Sequence, residues 1–128
     1  MIRFTKERIL LLHKYITEET GTPSDLRDPG LLESALESAF HTFDGIELYP
    51  TKEEKAARIA CSLIRNHPFT DGNKRIGMYF LITFLDVNGI ALNCTDVDII
   101  ELGLSVASGK DDYEAVLDWV NKHKQYLE

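Results

Sequence analysis

The chain has 128 residues, 44% hydrophobic and 27% charged, values that fit an ordinary globular protein and exclude a disordered one. Its formal net charge of −7 argues against direct nucleic-acid binding, which needs clustered Lys and Arg against phosphate. No stretch reaches the roughly 18 apolar residues of a membrane span, and "MIRFTKERILLLHKYI" lacks the apolar run and small-residue cleavage site of a secretory leader.

Helix signals dominate in chain order. Ile9, Leu12, Tyr15 and Ile16 mark the apolar face of a first helix that Gly21 is suited to end. The loop "GTPSDLRDPG" follows, and within it Asp28 is placed to cap a second helix with Pro29 at its first position. Leu32, Ala35, Leu36, Ala39 and Phe40 give that helix its stripe. "FDGIELYP" then breaks the pattern with Asp-Gly between apolar residues, the signature of a surface loop or of a short β-hairpin flap. Thr51 and Glu54 form a capping box for a third helix running through Arg65, with Pro68 beyond its end. A fourth helix is expected from about Asn73 to Asn88, closed by Gly89. Asp96 or Thr95 opens a fifth that Gly109 closes. Asp111 or Asp112 caps a sixth carrying Val116, Leu117, Trp119 and Val120. The acids between Asp96 and Asp118, with Lys110 the one base among them, read as a solvated face, the alternative being a docking surface for a basic partner. Cys61 and Cys94 have no CxxC spacing and read as reduced core residues, which favours the cytoplasm. The sum is an all-α fold, one domain over residues 1–128, with a possible small hairpin.

The chemistry is concentrated in "NHPFTDGNKRIG", between the third and fourth helices. A helix N-terminus presents unpaired N–H groups and about half a positive charge, so it suits an anion. Gly72 lets the backbone approach a ligand, Asn73 offers an amide donor, and Lys74 and Arg75 add two positive charges at that point; Arg65 is a candidate third. In the first turn of a helix such cations oppose the macrodipole, a penalty that a bound phosphate removes. Asp71 beside a phosphate site is a candidate Mg²⁺ ligand, because Mg²⁺ takes few protein oxygens and several phosphate oxygens. His67 is a candidate general base, and Phe69 an anchor in the core. His13, His41 and His123 are scattered without zinc-site spacing. The P-loop, GxGxxG and GxSxG motifs are absent from the sequence.

"HPFTDGNKR" resembles the signature of the Fic/Doc family, His-x-Phe-x-Asp/Glu-Gly/Ala-Asn-Gly/Lys-Arg, and the lysine at its eighth position is the form of the death-on-curing (Doc) toxin branch. "LRDPGLLESAL", "FDGIELYPTKEEKAA" and "FLDVNGI" resemble that branch in the same order. The resemblance implies the compact helical Fic/Doc (Fido) fold and Mg²⁺-dependent transfer from ATP to a protein hydroxyl. By position it implies His67 as general base, Asp71 as metal ligand, Gly72 and Asn73 in an anion hole, and Lys74 and Arg75 on phosphates. The loop Phe43, Asp44, Gly45, Ile46, Glu47, Leu48, Tyr49 matches the flap that aligns a target segment as a strand would. The nucleotidyl-transferring branch has glycine where this chain has Lys74, and usually a second arginine where this chain has Met78. Both departures suit the Doc arrangement, in which the γ-phosphoryl group is transferred. For that branch the implied target is a threonine of elongation factor Tu, and the implied partner is a cognate antitoxin. No Ser or Thr here has Glu four residues on, so the inhibitory pattern Ser/Thr-x-x-x-Glu-Gly/Asn is missing. The alternatives are transfer of AMP by a Fic-type nucleotidyltransferase and an inactive binding module.

Overall fold

A computed structural model of the chain describes residues 1–21 and 25–127. Positions 22–24 of the turn-rich loop after Gly21 lie outside the described residues. The element order is α1 (Lys6–Thr20), α2 (Pro29–Glu37), a 3₁₀ turn (Ser38–Phe40), β1 (Thr42–Phe43), β2 (Ile46–Glu47), α3 (Lys52–Asn66), α4 (Asn73–Val87), β3 (Ile90–Leu92), α5 (Asp96–Ala107), α6 (Tyr113–His123) and β4 (Lys124–Tyr126). The expected helical architecture and hairpin are therefore present.

Helix starts follow side-chain caps. Thr5, Asp28, Thr51, Thr95 and Asp112 each accept a backbone N–H of the first turn of α1, α2, α3, α5 and α6. Thr51–Glu54 and Thr95–Asp98 are complete capping boxes. Two of the acids expected on a solvated face, Asp98 and Asp112, thus have a definite role as caps.

The antiparallel pair α3 and α4 forms the centre. Ala56, Ala57, Ala60, Leu63 and Ile64 of α3 are buried, as are Ile76, Phe80, Leu81, Phe84 and Leu85 of α4. A Cβ on Gly77 would lie 2.5 Å from Ile64 Cγ1 and 3.1 Å from the carbonyl oxygen of Ala60, so the two helices approach as closely as they do because position 77 has no side chain. The close pair is the mount for the loop that joins them.

Three expectations need correcting. On α1 the inward stripe is Ile9, His13, Ile16 and Thr17, while Tyr15 is 59% exposed. Cys94 is only half-buried, although both cysteines are free as expected. A second antiparallel pair, β3 with β4, is also present, in register Ile90↔Tyr126, Ala91↔Gln125 and Leu92↔Lys124. It is locked to α3 because Lys124 Nζ and Tyr126 Oη both donate to Glu53 Oε2, at 2.7 and 3.0 Å. Among the described residues no helix is long and apolar enough to cross a membrane.

Candidate functional site

His67 stands at the point where α3 stops. Its backbone is left-handed, φ 50° and ψ 55°, a conformation that costs a non-glycine residue roughly 1–2 kcal/mol. Pro68 makes the stop obligatory, since it disfavours the right-handed helical region for the residue before it. Arg27 holds the turn: its Nε donates to His67 O at 2.8 Å and its Nη2 to Asn66 O at 3.2 Å. A cation thereby satisfies carbonyls at the negative end of α3. The main chain on either side is paired as well. Arg27 and Asp28 donate their N–H groups to Pro68 O at 2.8 and 3.0 Å, and Thr70 N–H donates to Asp25 O at 3.0 Å. Leu26 and Phe69 form an antiparallel bridge. The segment "DLRD" is thus the main-chain partner of the motif loop, and the His67 side chain is left exposed.

Phe69 is 1% exposed and lies flat against the His13 ring, with centroids 3.6 Å apart and planes 10° from parallel. Asn73 fixes the loop across its width, since its side-chain amide accepts from Phe69 N and donates to Phe69 O, both at 3.0 Å. The Asn73 side-chain amide, a candidate donor in the sequence, thus spends its oxygen and one of its two N–H groups on the loop itself. His13 Nε2 lies 2.7 Å from Asp71 O. Burial holds the pKa of His13 below the ordinary histidine value, opposed by this bond to Asp71 and assisted by the charge of Arg75. Asp71 Oδ1 accepts from Gly72 N–H at 2.7 Å, and the Asp71 side chain is otherwise open to solvent.

At the start of α4 stand Asp71, Gly72 with φ +78°, Asn73, Lys74 and Arg75, and His67 lies at the other end of the short loop, where α3 stops. Lys74 is exposed, and Arg75 Nη1 donates to Thr20 Oγ1 at 2.9 Å. Both line a cavity of about 630 Å³ whose apolar wall includes Met78, Tyr79, Ile100 and Leu104. Arg65 does not join them. Its Nη2 donates to Asp111 O at 2.9 Å, and it lines a different cavity of about 380 Å³ with Arg58, Asn66 and Tyr113. The start of α4 therefore gathers two cations rather than the three expected, because the free carbonyl of Asp111 claims the third.

The flap is a two-residue hairpin. Thr42 pairs with Glu47 and Phe43 with Ile46, and both turn residues have positive φ, 51° at Asp44 and 77° at Gly45, as a type I′ turn requires. Phe43 and Ile46 are each 71% exposed and Leu48 51%, so the hairpin offers an apolar surface beside an unpaired strand edge. Its fastening is a residue that no motif marks. Lys55 on α3 has a side chain only 2% exposed, and its Nζ donates to Glu47 Oε1 at 3.1 Å and to Tyr49 O. At the other end Tyr49 meets Tyr113 edge-to-face at 5.2 Å. Lys55→Met keeps the stem volume and removes the donor. It is expected to cost on the order of 1–3 kcal/mol and to speed amide exchange across residues 42–49 while exchange in α4 is unchanged; equal flap protection in the variant would refute the fastening.

Lys74 and Arg75 give the α4 N-terminus the charge that suits a phosphate. Among the described residues no group of three or more His, Cys, Asp or Glu is placed to hold a metal ion by itself. One outward carboxylate, Asp71, beside an anion site suits Mg²⁺, which completes its shell with water and phosphate oxygens.

A family model described as Fic/DOC family matches residues 3–85, well over half of the chain and including the whole loop from His67 to Arg75. A protein named Toxin Doc from Mycolicibacterium smegmatis (strain ATCC 700084 / mc(2)155) is 42% identical over 79 residues, covering 62% of this chain. The match spans 60% of that relative's own length.

Proposed function

The chain belongs to the Fic/DOC family, and from that premise we propose that it is a Doc-type toxin that transfers the γ-phosphoryl group of Mg-ATP to a Ser or Thr hydroxyl of a target protein. The observation that supports this reading is that one short, pinned loop carries His67 at the end of α3 and Gly72, Lys74 and Arg75 at the start of α4. Phosphoryl transfer asks for positioning and charge stabilisation more than for covalent chemistry, and such a loop supplies both.

In this reading the flap edge pairs with an extended target segment and brings its hydroxyl to His67. The imidazole takes the hydroxyl proton as the oxygen attacks the γ-phosphorus. The bond from that phosphorus to the β,γ-bridging oxygen breaks, ADP carries away the electron pair, and the proton on His67 passes to solvent. Gly72 N–H, the first-turn N–H groups of α4, Lys74 and Arg75 stabilise the charge that develops on the phosphoryl oxygens. Asp71 would hold Mg²⁺, which when bound neutralises phosphate charge and orients the group in transfer.

Lys74 and Met78 favour phosphorylation over nucleotidylation. A lysine occupies the room that glycine leaves for an α-phosphate, and Met78 gives no second guanidinium for the rest of the triphosphate. We take the target to be a translation factor, elongation factor Tu before others, with arrest of protein synthesis as the result and the cytoplasm as the site of action. Restraint would come in trans from an antitoxin, since the inhibitory sequence pattern is missing; the apolar wall beside Lys74 and Arg75 suits a segment of such a partner. Intact mass of the modified target tests the reading. A gain of about 80 Da is expected for a phosphoryl group; a gain of several hundred would assign nucleotidylation instead. A chain that is not stabilised thermally by Mg-ATP, where linkage requires a shift, would be a binding module of another kind.

A further inference from the structure

His13 carries a buried polar atom, Nδ1, with no hydrogen-bond partner among the described residues, although its ring is fully enclosed. Leaving a buried acceptor unsatisfied is unfavourable, and phenylalanine would fill the same space against Phe69 without that cost. What an apolar ring cannot do is donate. Nε2 lies 2.7 Å from a carbonyl oxygen, which only accepts, so Nε2 carries the hydrogen and Nδ1 is the bare lone pair.

The consequence falls on the peptide between Asp71 and Gly72. In a trans peptide the C=O and the following N–H point in opposite directions. Holding Asp71 O inward against α1 therefore turns Gly72 N–H outward, where Asp71 Oδ1 accepts from it at 2.7 Å. Gly72 is fitted to the same ring, because a Cβ there would lie 3.1 Å from His13 Nε2 on a backbone of φ +78°. We infer that His13 is a positioning residue of the phosphate site: its Nε2–H fixes the Asp71–Gly72 peptide so that the Gly72 N–H faces outward, where an incoming phosphate oxygen would take the place that Asp71 Oδ1 holds here. The ligand's identity rests on the phosphoryl-transfer reading; the outward turn of the N–H rests on His13, Asp71 and Gly72.

Two full-length variants separate donation from packing. His13→Phe keeps the stack on Phe69 and loses the donor, while His13→Gln restores an N–H at similar reach. Three quantities are compared with the parent: thermal stability, the exchange rate of the Gly72 amide by NMR, and calorimetric affinity for a non-hydrolysable ATP analogue with Mg²⁺. His13→Phe is expected to fold, to exchange the Gly72 amide about tenfold faster or more, and to lose about 10–100-fold in affinity. His13→Gln is expected to return both values most of the way to the parent. A folded His13→Phe with unchanged Gly72 exchange and affinity overturns the assignment, and so does a folded His13→Gln that is as impaired as His13→Phe. If His13→Phe does not fold, the glutamine variant carries the test. If the analogue binds no form while Gly72 exchange responds as expected, the phosphoryl-transfer reading falls and the positioning role stands.

Discussion

His67→Ala is expected to slow transfer to the target by ~10²–10⁴-fold, the usual worth of a general base, with little change in stability. The side chain is exposed, so its removal opens no cavity. The left-handed turn that carries it is held by bonds to its main chain, from the Arg27 side chain to His67 O and from the N–H groups of Arg27 and Asp28 to Pro68 O, and all of these survive the substitution. Mg-ATP affinity should also persist, because the phosphate donors sit on α4. Single-turnover rates with saturating nucleotide check the first point and a thermal melt the second. A folded His67→Ala chain with the parental rate would remove the base from the mechanism.

Phe69→Ala is expected to have the largest effect on stability, about 3–5 kcal/mol, the typical cost of deleting a buried phenyl ring. The ring is 1% exposed and bears on His13, while its backbone N–H donates to the Asn73 amide and its carbonyl accepts from it. Its loss leaves a void between α1 and the motif loop, so the site should loosen together with the fold. Urea denaturation reads the change as a lower midpoint at unchanged slope. A loss below 1 kcal/mol would show that the loop is anchored elsewhere.

What the sequence disclosed was local. The Asp44-Gly45 pair announced a tight hairpin because a type I′ turn needs two positive-φ residues and few sequences supply them. Thr51 with Glu54 announced the start of α3 because both halves of the capping box lie within four positions. The motif loop is legible because the residues proposed for the site are contiguous, from His67 to Arg75. What stayed hidden depends on contacts between distant segments. The β3–β4 ladder pairs three-residue strands more than thirty positions apart, and neither strand is long enough to show a period. Arg65 reads as a neighbour of Arg75 until the Asp111 carbonyl is found to claim it. His13 on an apolar helix face looked like an isolated histidine, since nothing in the order of residues places it beneath Asp71. Lys55 and Arg27 carry no signal in the sequence for the same reason: each acts on a backbone carbonyl, and carbonyls leave no mark there. A side chain that caps its own helix leaves a signature at fixed spacing, whereas one that fastens a distant loop does not.

The central claim is that the loop between α3 and α4 moves a γ-phosphoryl group to a protein. It is tested most directly by incubating the chain and its target with Mg-ATP labelled at the γ-phosphate or, in parallel, at the α-phosphate. The account predicts that label enters the target from γ-labelled ATP alone, and that His67→Ala reduces its entry. Label entering from the α-labelled nucleotide, or from neither, would contradict it.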